Sequence, residues 1–314
     1  MIQIYKSSNE NDGKLMSIEN IEPGCWINLI APSKEELIII SKKTNVPLSL
    51  LQAALDNEET SRIDIEDDNL LILVDIPFTE VEENSLTYDT YPLGIIHTKN
   101  EIITICSKNS KLISDFTQNK IKSFYSFKRS RFILQILNRV STYYLLYLRQ
   151  IDKKSIMLEK RLHKSMKNRE LIHLHSLQKS LVYFSTSLKA NEATLEKMLK
   201  LDIIQKYEQD KDILEDVIIE NKQAIEMTHI YSNILNNTMS FFSSVISNNF
   251  NSVAKILTSV TVILSLFTIV SGIYGMNVPL PMSNDPRTFY FLMGGTIFVS
   301  IILAYYLYKK DMFL

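Results

Sequence analysis

The sequence predicts an α+β membrane protein. An N-terminal α/β domain leads into long antiparallel helices, and a very long stalk helix runs on into a C-terminal two-helix transmembrane hairpin. Three observations predict it. Pro and Gly punctuate the first hundred residues and then vanish: no Pro lies between Pro92 and Pro279, and no Gly between Gly94 and Gly272. From Ile256 to Asn284 there is no Asp, Glu, Lys, Arg or His. A second run without these residues extends from Thr288 to Tyr308. About 20 apolar residues cross a hydrocarbon core about 30 Å thick, so two such runs joined by a short loop read as a hairpin. The expected partition is 1–125 for a cytoplasmic α/β domain, 126–254 for the helical and stalk region, and 255–314 for the two spans with a basic tail.

In chain order, MIQIY is strand-like, and Cys25–Ile30 (CWINLI) follows Pro23-Gly24 as a second strand. Ser33 with Glu36 three residues on forms a capping box for a helix whose Leu37, Ile40 and Val46 face a core. Pro47 is expected to end that helix, and another short one starts at Leu48. Ile63-Asp64-Ile65-Glu66 alternates, and Leu70–Ile76 is an apolar strand expected to stop at Pro77. Ile95–Thr98 and Glu101–Cys106 make a hairpin around Lys99-Asn100. A mixed sheet with helices packed on it follows.

Beyond this point, a stretch without breakers that is dense in Leu, Ile, Lys, Glu and Gln reads as long helix. Ser126 to about Ser165 carries Phe132, Ile136, Val140, Tyr143 and Tyr147 at helical spacing. Turns are expected at Met166–Arg169 and Lys206–Lys211, with a second helix from Glu170 to about Lys206 between them. A third helix beginning near Asp212 need not stop before the membrane. From there to Gly275 is roughly 64 residues, or about 95 Å. Between Met227 and Ala254 it carries His229 but no Asp, Glu, Lys or Arg, and instead holds Asn233, Asn236, Asn237, Ser240, Ser243, Ser244, Ser247, Asn248 and Asn251. This composition suits a helix lining a wet, uncharged conduit, or a stalk packed in an oligomer through small polar residues. The two readings are compatible.

Composition excludes several classes. Net charge is −1 over 314 residues, so no global bias toward nucleic acid exists. The two cysteines, Cys25 and Cys106, form no CxxC pair and read as buried thiols. No nucleophile–base pair, Walker A pattern or GxGxxG emerges, so neither an enzyme nor an organic cofactor is expected. MIQIYKSSNENDGK has no long apolar run, so no signal peptide is expected and the large N-terminal part stays cytoplasmic. Lys255 before the first span and Lys309 and Lys310 after the second agree with the positive-inside rule. Both termini are then cytoplasmic, in an inner-membrane protein with a short outer loop at 278–287.

The first span ends in Tyr274-Gly275-Met276-Asn277. A plain anchor needs neither Gly nor Asn there. Read backward from Asn277 with one helical drift, a stripe appears: Ile273, Thr268, Ser265, Thr261, Leu257, Ala254, Asn251 and Ser247. Polar members within a membrane face a bundle interior or a water-filled path, or bond to their own backbone. A ring of neutral amide oxygens suits Mg²⁺, which gives up its water reluctantly. Met276 packs rather than ligates, because a thioether is a soft ligand. Leu257 and Ala254 form an inner constriction.

The Gly-Met-Asn triplet at the end of the penultimate span, with one last span and a basic tail, resembles the signature of the CorA family of divalent-cation channels. The resemblance implies a funnel-shaped homopentamer in the lipid bilayer, passing hydrated Mg²⁺ and also Co²⁺ or Ni²⁺. Gly275, Met276 and Asn277 would be the filter, and internal Mg²⁺ bound between subunits would close the pore. Asn277 carries over as the filter residue, and Thr268, Leu257 and Asn251 match pore-facing positions. The segment Asp56-Asn57-Glu58-Glu59 before Arg62 is similar to an acidic stretch in such proteins; with Asp216 it is the candidate regulatory metal site, and solvated turn residues are the alternative. Three departures stand out. Ala254 and Ser265 replace expected methionines, the stalk near Ser240 lacks a carboxylate, and Val278-Pro279-Leu280-Pro281 leaves only Asp285 as an outer acid. A ZntB-type Zn²⁺ transporter is an alternative, although His97, His163, His173, His175 and His229 form no ligand set. A non-conducting membrane adaptor is another.

Overall fold

The computed structural model describes residues 1–7, 14–82, 85–122, 124–165, 168–202, 207–282 and 285–313. The chain divides into two compact units, Met1–Met239 and Ser240–Leu314.

The first unit is built on a seven-stranded sheet of β1 (Ile2–Ser7), β2 (Leu15–Ser17), β3 (Trp26–Ile30), β4 (Arg62–Glu66), β5 (Asn69–Glu82), β6 (Ser85–His97) and β7 (Ile102–Cys106), in the order β2-β1-β3-β7-β6-β5-β4. Only β3 and β7 pair in parallel, so the sheet is mixed, as expected. Ile27, Leu29, Leu71, Leu73, Ile103 and Ile105 face α1 (Lys34–Thr44) and α2 (Leu48–Ala53), against Leu37, Ile40, Val46 and Leu51. The capping box at Ser33 and Glu36 forms in both directions, at 3.2 and 2.9 Å.

Other sheet side chains meet α3 (Lys111–Thr117) and α4 (Arg129–Ser165). Trp26 stacks edge-on to Phe132 at 5.2 Å, and Phe124 to Phe132 at 4.6 Å. The Trp26 indole donates to Thr104 Oγ1 (2.8 Å), which satisfies its one polar atom in the core. Cys25 and Cys106 are free and buried, as expected of structural thiols. Burial pushes the Cys106 thiol up to about 12.

Two strands run further than their prolines suggested. β5 continues through Pro77, which sits opposite Thr90. β4 begins at Arg62, opposite Leu73, so beyond Leu73 β5 is an edge strand. Asp75 turns its backbone to that edge, where its N–H donates to Asn191 Oδ1 (2.9 Å) and its carbonyl accepts from Asn191 Nδ2 (2.8 Å). Pro77, two residues on, lacks its N–H on the same side, where no strand needs it. β6 likewise accommodates Pro92, because β7 ends at Cys106 opposite Leu93. Helix α1 stops earlier than Pro47, at Asn45 in the left-handed region (φ 56), and Pro47 instead precedes α2.

Three helices follow: α4, α5 (Asn168–Met198) and α6 (Glu208–Tyr274). Of the residues predicted at helical spacing on α4, Phe132, Ile136, Val140 and Tyr147 are buried. Helix α5 buries Leu174, Leu177, Leu181, Phe184, Leu188, Asn191, Leu195 and Met198, an unbroken 3-4 spacing that makes a helix–helix seam. The first part of α6 answers with Leu214, Val217, Asn221, Ala224, Thr228 and Leu235. Gln178–Ser232 (2.7 Å), Asn221–Leu188 carbonyl (3.0 Å) and Lys222–Glu196 (3.3 Å) run in opposite order along the two helices, so they are antiparallel. Helix α5 ends at Met198 rather than near Lys206, through hydrogen bonds from Lys200 and Leu201 back to Lys197 and Met198. Helix α6 starts at Glu208, ahead of the expected Asp212. Met166, Lys167 and Lys206, placed in turns by sequence, lie outside the described residues.

Asp115 ties α3 to α4. It accepts from Arg139 Nη2 (2.6 Å), Tyr143 Oη (2.8 Å) and Lys120 Nζ (3.3 Å). Burial alone would raise its carboxyl, but the Tyr143 and Lys120 hydrogen bonds and the Arg139 charge outweigh it and hold the group below its ordinary value. Its stabilisation is therefore present above the unfolded carboxylate pKa and is lost as pH falls through the lower folded value, below about pH 4. Asp115→Asn should destabilise this unit by about 2 kcal/mol at neutral pH and flatten the acid limb of its stability. Thermal unfolding of the full chain in detergent at several pH values measures both.

Candidate functional site

The second unit contains the membrane part of α6 and α7 (Arg287–Lys309). Both helices are long and apolar enough to cross a membrane, and little of either stretch is buried inside the chain. Such a surface needs lipid or further protein around it.

Along α6 the stripe residues are open. Ser247, Asn251, Leu257, Thr261 and Thr268 are exposed, and Ala254 and Ser265 are half-buried. Helical arithmetic places Ser247 to Thr268 within about 120° of one another. Ile273 departs from the stripe. Five residues at about 100° each carry it roughly 140° round from Thr268. Its carbonyl instead accepts from the Met276 N–H at 3.3 Å, inside the turn that ends the helix.

Three hydroxyls of the stripe donate to their own helix: Thr261 to the Leu257 carbonyl (2.8 Å), Ser265 to Val262 (2.8 Å) and Thr268 to Leu264 (3.3 Å). This back-bonding was one of the two readings of the polar residues, and it has a chemical consequence for the other. A hydroxyl whose proton is engaged by a carbonyl presents only lone pairs outward. Thr261, Ser265 and Thr268 therefore present neutral acceptors along α6.

Helix α6 ends at Tyr274, and the Gly275 N–H makes the last regular bond, to the Ser271 carbonyl (2.9 Å). A Cβ on Gly275 would lie 3.0 Å from that carbonyl oxygen, so the tight exit explains the glycine. Gly275 does not need the left-handed region. Met276 and Asn277 are exposed, and the Asn277 carboxamide has no hydrogen-bond partner among the described residues.

The outer acid has a local task. Asp285 Oδ1 accepts from the Arg287 N–H (2.9 Å), and its carbonyl accepts from the Thr288 N–H (3.0 Å). It therefore caps the start of α7. Sequence reasoning named Asp285 as the one outer acid and did not see this local contact. It also missed Ser259, which is fully buried on a helix otherwise open at this level. The hydroxyl-rich composition hid it among its neighbours.

The candidate regulatory acids are placed as follows. Asp56, Glu58 and Glu59 lie in the turn after α2, where Asp56 Oδ1 accepts from the Glu58 N–H (3.0 Å). Glu59 pairs with Arg62, which also holds Asp64 at 2.6 Å. Asp216 is exposed on α6; burial and then the Asp216 charge raise the Glu220 carboxyl above its usual range. Among the described residues, no group of three or more His, Cys, Asp or Glu side chains is arranged to hold a metal ion. One chain therefore does not assemble these four acids into a site.

The fold is thus a mixed α/β unit and long helices, two of them long and apolar enough to cross a membrane and joined after the Gly275 exit. The family model described as CorA-like Mg²⁺ transporter protein matches residues 22–309, and the chain belongs to that family. The cobalt/magnesium transport protein CorA of Methanocaldococcus jannaschii is 29% identical over 290 residues, covering 89% of this chain and 88% of its own. The magnesium transport protein CorA of Campylobacter jejuni is 25% identical over 313 residues, covering 91% and 90%. The complete structure of the M. jannaschii CorA magnesium transporter matches with a TM-score of 0.80 at 27% identity, over 97% of this chain and 96% of that one.

The two glycines near the helix end should behave differently. Gly275→Ala, pressed against Ser271, should lower Mg²⁺ uptake several-fold. Gly272→Ala, with no atom outside its own helix backbone within 4 Å of an added Cβ, should stay near wild type. Radiotracer or dye-based uptake at matched expression distinguishes them.

Proposed function

We propose that this chain forms a channel for passive, potential-driven uptake of hydrated Mg²⁺, assembled as a homopentamer. The observation that carries this reading is Asn277, an unpartnered, exposed carboxamide directly after a charge-free membrane helix. Several copies around an axis make a ring of amide oxygens. Waters bound to Mg²⁺ turn their oxygens to the ion and their hydrogens outward, so they need acceptors, not ligands that replace them. Gly275, Met276 and Asn277 form the filter, and Asn251, Ala254, Leu257, Thr261, Ser265, Thr268 and Ile273 line the path below it. Ile273 contributes through the backbone of the closing turn, since its side chain leaves the stripe.

Leu257, 66% exposed in the single chain, is the natural hydrophobic constriction with Ala254. A divalent ion moving inward gains about 4.6 kcal/mol per 100 mV, so the reading requires no other energy source. Residues 1–125 and 126–254 are the cytoplasmic sensor and stalk, and 255–314 the pore domain, with both termini inside and loop 278–287 outside. Asp56, Glu58, Glu59 and Asp216 regulate by binding Mg²⁺ between neighbouring copies, which would supply the ligands that one chain lacks. Co²⁺ and Ni²⁺ share the divalent charge and firmly held water, and are expected to pass as well.

In cells lacking Mg²⁺ uptake, the intact chain should restore growth at low Mg²⁺. Asn277→Ala should abolish uptake or alter its selectivity without loss of membrane expression. Wild-type flux in Asn277→Ala would reject the filter assignment. Rescue seen only under zinc stress would move the cargo to Zn²⁺, and assembly without any flux would leave an adaptor.

A further inference from the structure

Helix α7 does not simply stop. The Met312 N–H donates to the Leu307 carbonyl (3.1 Å) and the Asp311 N–H to the Tyr308 carbonyl (3.1 Å), with Asp311 at φ 55. This is a Schellman reversal with an aspartate in the left-handed position that glycine usually takes, one of the few side chains that tolerate it. The reversal aims the chain back toward α6. There the Met312 carbonyl lies 3.3 Å from Ser259 Oγ, whose single proton goes to its own Lys255 carbonyl at 2.8 Å and is at most shared with Met312, so the contact is one of close packing. Ser259 is 0% exposed, although most residues from Lys255 to Thr261 are open. Met312 and Phe313 are half-buried.

The position on α6 gives this contact its meaning. Two residues separate Ser259 from Leu257, about 200° of helix, and nine separate it from Thr268, which brings it to about 180°. The reversal therefore touches α6 opposite Leu257 and Thr268, at the level of the hydrophobic constriction, and Met312 reaches round to Asn251 and Ala254, with which it lines one cavity. We infer that Asp311–Phe313 is a strap that fixes the rotation of α6 against α7, and that Ser259 is the positioning residue through which it sets the direction of Leu257. This rests on the pore reading for its consequence, though not for its geometry. A small side chain is needed at Ser259 because the strap's backbone lies against it. A rotation of α6 that swings Leu257 away from the axis must move or break the strap, so the strap biases the pore between constricted and open states.

The test uses Leu257→Cys in the full chain in membranes, probed with a positively charged methanethiosulfonate reagent. Cys25 and Cys106 are fully buried and stay silent. Adding Ser259→Leu, which displaces the strap, should change the modification rate at position 257 by about fivefold, as a biased two-state equilibrium does. Ser259→Ala keeps the room and should change it by less than about twofold. Asp311→Val disfavours the reversal without touching α6 and should act like Ser259→Leu; Asp311→Gly should act like the parent. If Ser259→Leu fails to assemble, Asp311→Val decides. An unchanged rate in Asp311→Val overturns the strap. Mg²⁺ flux in Asn277→Ala, measured in parallel, keeps the two readings apart: normal flux there with a strap-dependent rate rejects the filter and leaves the strap standing.

Discussion

The constraint on which the structure depends is that one backbone, α6, has to satisfy three surroundings in succession. Its 67 residues span about 100 Å without a break. The first part lies against α5 through a 3-4 seam and can use ordinary hydrophobic burial. The middle exchanges charges for Asn and Ser. The last part is apolar with hydroxyls, in a medium where every unpaired backbone group costs several kcal/mol. A helix is the only element that carries its hydrogen bonds through all three unchanged. The absence of Pro from these 67 residues, and of Gly before Gly272, follows from that requirement.

Within the apolar part the same requirement settles what the hydroxyls present. Hydrocarbon supplies no acceptor, so Thr261, Ser265 and Thr268 give their protons to carbonyls one turn back. Their remaining lone pairs face outward. A cation that keeps its water shell presents hydrogens, so neutral acceptors hold it without stripping it. The arrangement that satisfies the helix is also the one that suits the cargo of the family. A ring of carboxylates would bind such an ion more tightly and release it more slowly.

Much of this was legible from residue order because the signals were local. Charge-free runs of span length, the Gly-Met-Asn exit, the Ser33 capping box and the helical spacing on α4 each depend on neighbours within one or two turns. What escaped depended on distant partners. Pro77 reads as a strand terminator until β4 is known to begin opposite Leu73, which leaves that edge free for Asn191 to occupy. The acidic set Asp56, Glu58, Glu59 and Asp216 has no meeting point within one chain, so no local pattern could have ranked its members.

Helix ends, rather than helix faces, carry the finer design of the membrane unit. The exit of α6 is tight enough to require glycine, the start of α7 is capped by Asp285, and its end is turned back by Asp311. Each device restricts how one span can rotate or slide against the loop that follows it. A helix in hydrocarbon has little else to set its azimuth, because hydrocarbon packs equally well against any apolar face. Among the described residues, Ser259 is a place where the chain just past α7 meets α6 closely enough to break that rotational equivalence.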